Sequence, residues 1–324
     1  VHTRTKFPLS RRNFIRLLVL GALAVTGARG FMNSRNLKLQ KVNIALGRLP
    51  SSFEGLKVGH ITDIHASALV PRALIREGID LIMSERPDVV VLTGDFVTSA
   101  TKILWTTYGG FKRRHYHDCM EEISRLKAPL GVFAVLGNHD FWSGKAVTEE
   151  IVTGLGRAGV QVLRNEAFPL ERNGQRLYLL GVDDYWEASC DLGGALRGVP
   201  EGTCRILLSH NPDVNEDIKL RREPIDCVLS GHTHGGQIVL PFLGAPYLPS
   251  AFGQKYRAGL VADGERQTYV SRGLGLFLVP VRLNCPADVS LLTFHKGKAT
   301  RHLRAALTGP GGERKSIRDP ILTS

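Results

Sequence analysis

Asp88-Val89-Val90-Val91-Leu92-Thr93-Gly94-Asp95 sets a Val-rich apolar run directly before a Gly-Asp pair. An unbroken run of this kind marks a strand covered on both faces. Its stop at Thr93-Gly94-Asp95 leaves a carboxylate at the strand's carboxyl end. The layout recurs to either side. Leu56–Ile61 leads into Thr62-Asp63-Ile64-His65, and Gly131–Leu136 into Gly137-Asn138-His139-Asp140. Arg205–Leu208 leads into Ser209-His210-Asn211-Pro212, and Cys227–Leu229 into Ser230-Gly231-His232-Thr233-His234. Helical spacings lie between, chiefly Pro71 to Arg86 (Leu74, Ile75, Ile79, Ile82, Met83) and Ala146–Ala158. Alternating strand and helix imply stacked α/β layers. Open α/β sheets bind ligands beyond the carboxyl ends of their strands. The polar residues ending these strands are therefore expected to share one site.

Elsewhere, Leu37–Leu46 alternates apolar and polar residues as a half-buried strand does. Residues 99–117 lack periodicity and read as a loop, followed by a helix around Asp118–Leu126. Short strand candidates end at Leu177–Val182, and two late strands fall near Thr268–Ser271 and Val289–His295. His60, His115 and His117 read as ordinary polar positions. The expected organisation is a signal or anchor over 1–30, one catalytic domain over 31–307, and a flexible basic tail over 308–324.

Singly, the motifs are ambiguous: Gly-Asp is usually a turn, and Asp-x-His occurs by chance. In order, Asp63-Ile64-His65, Gly94-Asp95, Gly137-Asn138-His139-Asp140, His210 and Gly231-His232-Thr233-His234 resemble the calcineurin-like metallophosphoesterase superfamily over about residues 56 to 236. The resemblance implies a layered α/β sandwich of two mixed β-sheets flanked by helices, with the active site at the C-terminal strand edge. It implies two metal ions. One is held by Asp63, His65, Asp95 and His234, the other by Asp95, Asn138, His210 and His232, with Asp95 bridging. A mixed N/O donor set without thiolate favours divalent or trivalent Mn, Fe or Zn. Such a pair suits in-line phosphoryl displacement by a deprotonated bridging water. His139 is the expected general acid, and Asp140 either orients its ring or starts a helix. Some family members carry an acid shortly after the Gly-Asp pair to steady this histidine. Here the chain continues Phe96-Val97-Thr98, which leaves the orienting group open.

The net charge of +12 belongs to the ends of the chain. Residues 1–52 carry ten Lys or Arg and no acid, and residues 296–324 carry a net +5, so the body between them is −3. That gives no support to a DNA- or RNA-binding face on the body, and no nucleic-acid partner is expected. Ser10-Arg11-Arg12-Asn13-Phe14 before the uncharged run Leu17–Ala28 resembles a twin-arginine signal. Export machinery and an anionic membrane or envelope surface are the partners this implies. Five cysteines without a C-x-x-C pair give neither a disulfide framework nor a thiolate site.

The expected function is a two-metal phosphoester hydrolase, for phosphodiesters or pyrophosphates, acting outside the cytoplasm at the cell envelope. The apolar, Pro-punctuated stretch 237–249 suits a substrate with a lipid-linked part. Two alternatives stand beside it. One is a membrane-associated pyrophosphatase of a nucleotide-linked glycolipid facing the cytoplasm. The other is a metal-binding interaction module without catalysis.

Overall fold

The run at residues 89–92 is fully buried and divides its side chains between two cores: Val89 and Val91 join one apolar cluster, Val90 and Leu92 another. The computed structural model describes residues 12, 16, 27, 30–103, 106–277 and 279–298. The signal read over 1–30, apart from residues 12, 16, 27 and 30, and the tail read over 308–324 lie outside the described residues.

In chain order the elements are β1 (Lys38–Leu46), β2 (Leu56–Ile61), α1 (Arg72–Ser84), β3 (Val89–Thr93), β4 (Ala100–Ile103), β5 (Thr106–Gly109) and α2 (Arg113–Ile123). Next come β6 (Val132–Val135), α3 (Asn138–Trp142), α4 (Lys145–Arg157), β7 (Gln161–Val162), β8 (Glu166–Arg172), β9 (Gln175–Gly181) and α5 (Leu192–Leu196). The last are β10 (Arg205–Leu208), α6 (Val214–Arg221), β11 (Cys227–Ser230), β12 (Gly259–Asp263), β13 (Arg266–Val270) and β14 (Asp288–Lys296).

Two six-stranded sheets form, ordered β1-β14-β2-β3-β6-β7 and β12-β13-β11-β10-β9-β8. Both are mixed. In the first, β14 runs parallel to β1 and antiparallel to β2; in the second, the parallel strands β9, β10, β11 and β13 are flanked by antiparallel β8 and β12. Alternation within each strand builds four layers. Val91 and Phe133 of one sheet meet Leu179 and Leu229 of the other in the central core. The outer face of the first sheet packs on Ile75 and Ile79 of α1, Ile123 of α2 and Leu155 of α4. The outer face of the second packs on Leu192 of α5 and Ile218 of α6. The layered sandwich expected from the sequence is the architecture observed.

The loop expected over 99–117 is corrected. Ala100–Ile103 and Thr106–Gly109 pair as a hairpin, and α2 begins at Arg113. A hairpin of two four-residue strands, paired only with each other, leaves no alternation long enough to read. The buried stripe of α2 (Tyr116, Cys119, Met120, Ile123) starts inside the basic run Arg113-Arg114-His115. His115 and His117 therefore lie on a helix. His60 is no ordinary polar position: it is fully buried, with Nε2 2.8 Å from Thr93 Oγ1. Helices α1 and α2 are tied by Glu122, whose buried carboxylate accepts from Arg72, Arg76 and Arg125. No helix among the described residues is long and apolar enough to cross a membrane.

Candidate metal centre

The strands β2, β3 and β6 of one sheet and β10 and β11 of the other finish at a common edge. Their following residues turn sharply. Asp63, His65, Asp95, His232 and His234 all hold left-handed backbone angles, with φ between 47° and 69°. Non-glycine residues rarely adopt this region, at a cost of about 1–3 kcal/mol each. The turns aim successive side chains inward where an extended strand would alternate them. Two glycines make the close approach possible. A Cβ on Gly231 would lie 2.1 Å from Asp63 Oδ2, and one on Gly137 would lie 2.3 Å from Asp95 Oδ1.

The donor atoms converge in two sets. In one, His65 Nε2 lies 3.0 Å from His234 Nε2 and 3.3 Å from Asp95 Oδ2, and His234 Nε2 is 3.4 Å from Asp63 Oδ1. In the other, His210 Nε2 lies 3.1 Å from Asn138 Oδ1, 3.1 Å from His232 Nδ1 and 3.3 Å from Asp95 Oδ2. Asp95 Oδ2 belongs to both. All seven residues that the resemblance nominates are brought together and buried.

The residues fit metal ions. Donor atoms bonded at about 2.1 Å to one cation sit about 3.0–3.4 Å from each other, whether octahedral or tetrahedral. Those are the spacings observed. The nitrogens that face the cluster are His65 Nε2, His232 Nδ1 and His234 Nε2, and the opposite ring nitrogen of each is buried without a protein partner. His210 Nδ1, by contrast, lies 2.7 Å from the carbonyl of Thr93, which fixes the ring with Nε2 facing the cluster. Three overlapping sets of possible ligands recur among the described residues: Asp63, His65 and His234; Asp63, Asp95 and His210; and His65, Asp95 and His139.

Electrostatics point the same way. Burial lowers the proton affinity of His232 and His234 well below the ordinary range, so both are neutral donors. Burial opposes charge on His210 as well, but the neighbouring Asp95 outweighs it and pushes His210 up to about 10. Burial likewise works to raise Asp95, yet His210 and His139 hold it well below the usual carboxylate range. Burial raises Asp63. The cluster attracts positive charge, a role two cations can fill.

The structure adds residues that the sequence reading did not single out. Ser99 Oγ is 2.7 Å from His139 Nδ1, and the Ser99 backbone N–H donates to the same nitrogen at 3.3 Å. Nδ1 therefore accepts, and the ring proton resides on Nε2. Asp140 makes no hydrogen bond to the His139 ring; of its two expected roles the one observed is the helix start, where its side chain accepts the Gly137 N–H. Its carboxylate accepts the backbone N–H groups of Asp95, Phe96 and Gly137, each at 2.9 Å, pinning the Gly94-Asp95 turn against the start of α3. His139 is nearly buried and pushed down to about 3 by that burial, below the near-neutral value expected of a general acid. Asp184 is buried beside the cluster, with Oδ1 accepting from Trp186 and Glu187 backbone N–H groups, and Trp186 stands edge-on to His232.

The segment 271–275 forms a floor under Asp63: Leu274 N–H donates to the Thr62 carbonyl and Gly275 N–H to that of Asp63. Buried Arg282 donates to the carbonyls of Arg272, Gly273 and Gly275, and Asp288, the first residue of β14, holds Ser271 and Arg272. No motif in the sequence announces these supports, which depend on contacts between distant segments.

Comparison with known proteins agrees with this geometry. The calcineurin-like phosphoesterase family model matches residues 56–236. The chain is 31% identical over 285 residues to the phosphodiesterase YaeI of Escherichia coli, spanning 88% of this chain and 98% of that protein. It is 30% identical over 294 residues to the metallophosphoesterase YkuE of Bacillus subtilis, spanning 88% and 97%. A transmembrane protein with metallophosphoesterase domain from Danio rerio is 28% identical over 296 residues, covering 86% of this chain and 62% of that protein.

Proposed function

The chain belongs to the calcineurin-like phosphoesterase family and is a metal-dependent phosphoesterase; from that premise we propose that it hydrolyses phosphodiesters or pyrophosphates at the cell envelope with two metal ions. The observation that carries the two-metal reading is Asp95 Oδ2, placed 3.3 Å from His65 Nε2 and 3.3 Å from His210 Nε2. Asp63, His65, Asp95 and His234 would hold one ion, and Asp95, Asn138, His210 and His232 the other. Such ions supply an activated water and offset charge on the phosphoryl oxygens.

The chain's own residues do the rest. His139, neutral in its buried setting, presents Nε2–H as a hydrogen-bond donor to the leaving oxygen while Ser99 fixes Nδ1. The His139 backbone N–H donates to Asp95 Oδ1 at 2.9 Å, coupling ring placement to the shared carboxylate. Phe277 stacks on His234 and limits water there. The near-neutral body disfavours polynucleotides. Residues 1–30 would direct the protein to the envelope, 31–307 form the catalytic domain, and 308–324 a basic tail. Support for the envelope comes from the Arg11-Arg12 signal and apolar run, and from the transmembrane relative's name. A lipid-linked substrate belongs to this reading, through the stretch 237–249.

The test is turnover by protein reconstituted with Mn, Fe or Zn across monoester, diester and pyrophosphate substrates. A diester or pyrophosphate preference that Asp95→Asn abolishes is expected. Absence of turnover with every metal and class would sink the reading.

A further inference from the structure

Beside His234 opens a cavity of about 250 Å³, walled by Ile238, Pro246, Tyr247, Phe277 and Val279. We propose that this cavity is the subsite for a single aliphatic chain of the substrate, which makes the substrate an amphiphilic phosphoester. The inference rests on the phosphoesterase reading above and adds to it where and how the apolar part is held.

The cavity's lining is mainly apolar and disfavours a polar occupant: of its polar residues Thr233, His234 and Gln237, Thr233 already donates its hydroxyl to the Arg257 carbonyl at 2.8 Å. Its one amide side chain, Gln237, is spent on the walls: Nε2 donates to the carbonyls of Phe277 and Val279 at 3.0 and 2.9 Å, and Oε1 accepts the Phe277 N–H at 2.8 Å. A polar ligand group beside these apolar walls would lose water and find few partners. The same bonds brace the two walls, so the cavity is preformed.

Position supplies the link to catalysis. The Phe277 ring lies 6.0 Å from His234, 6.3 Å from His65 and 5.5 Å from His139, between centroids. One ring therefore closes the metal cluster and lines the cavity. A phosphoryl group at the cluster would leave an attached chain next to that opening.

The rim is apolar too. Tyr247 and Val279 line the cavity and are also 65% and 43% exposed, and the loop that carries Tyr247 bears Phe242 and Leu243, likewise exposed. Contiguous exposed apolar residues mark contact surfaces. The carbonyl of Gly30 accepts from Arg282 N–H at 3.0 Å, which ties Gly30 to the fold three residues from Val279. A chain drawn from a lipid surface and one from a free amphiphile would both enter by this rim.

The experiment uses the full chain loaded with Mn and a series of alkyl 4-nitrophenyl phosphodiesters, methyl to dodecyl, as monomers. We expect kcat/KM to rise by up to about fourfold per added methylene, through KM, and then to level off as the chain outgrows the cavity. Val279→Asp and Ile238→Asp should each flatten that slope, while Leu220→Asp, on exposed α6, should leave it intact. Equal turnover of methyl and dodecyl esters, or a slope that survives both cavity variants, overturns the proposal while the phosphoesterase reading stands. If even the methyl ester is inert with every metal, that reading fails instead. The subsite is then decided by calorimetry with dodecyl methylphosphonate. Binding with a negative heat-capacity change that Val279→Asp removes supports the subsite, and no binding overturns it. Presenting the dodecyl ester in phosphatidylglycerol vesicles separates the sources. Faster turnover there than in solution supports a bilayer supply, and slower turnover supports a free amphiphile; both keep the subsite.

Discussion

His139 and Ser99 meet across forty residues of chain, and the contact decides which nitrogen faces the substrate. A carboxylate partner would favour a protonated ring, whereas a hydroxyl and a backbone N–H aimed at Nδ1 favour a neutral one. Ser99→Ala keeps the backbone donor and loses the shorter bond. It should lower kcat for diesters with alkyl leaving groups by roughly tenfold, with a smaller loss for nitrophenyl leaving groups, because the poorer leaving group depends more on donation at Nε2. Ser99→Thr should restore most of the rate. Equal losses on both leaving groups would refute a role at the leaving oxygen. Sequence could not nominate Ser99, since a serine in a polar stretch carries no signal until tertiary contact supplies one. The seven clustered Asp, His and Asn residues, in contrast, were legible because each directly follows an apolar strand.

At the scale of elements, α1 and α2 are joined by Glu122, which is fully buried among Arg72, Arg76 and Arg125. The arginine hydrogen bonds, Arg76 foremost, hold its carboxyl down to about 2 from an ordinary 4.5, against the opposing effect of burial. A depressed carboxyl stabilises the fold above its ordinary value and loses that contribution as pH falls through the folded one. Glu122→Gln should therefore be less stable near pH 7 by on the order of 2 kcal/mol. Urea titrations should show the gap closing between about pH 4.5 and pH 2; a gap constant with pH would refute the ion-pair account. Legibility differs by element for physical reasons. Buried parallel strands such as β3 and β10 read directly from their apolar runs. The helix α6 did not, because Val214 to Arg221 carries few apolar residues and borrows its cover from Leu207 and Val228 beneath it.

The whole molecule is two sheets sharing one core and one edge, so its site and its stability are linked. Buried carboxylates and left-handed ligand positions burden the metal-free fold, and bound ions offset both. Adding Mn or Zn to chelator-treated protein should raise the midpoint of thermal unfolding, by a shift equivalent to about 4 kcal/mol at a thousandfold excess over Kd. Asp95→Asn should abolish most of that shift, and an unchanged midpoint would count against a folded-state metal site. The order of β1, β14 and β2 has a further consequence, one of timing. A ribosome releases residues 38–61 long before residues 288–296, yet β14 belongs between the first two strands and its Asp288 anchors the floor beneath Asp63. For nearly the whole of synthesis, β1 and β2 wait without their shared neighbour. A chain interrupted before β14 cannot be a smaller working enzyme, and the newborn protein becomes competent only once β14 has arrived.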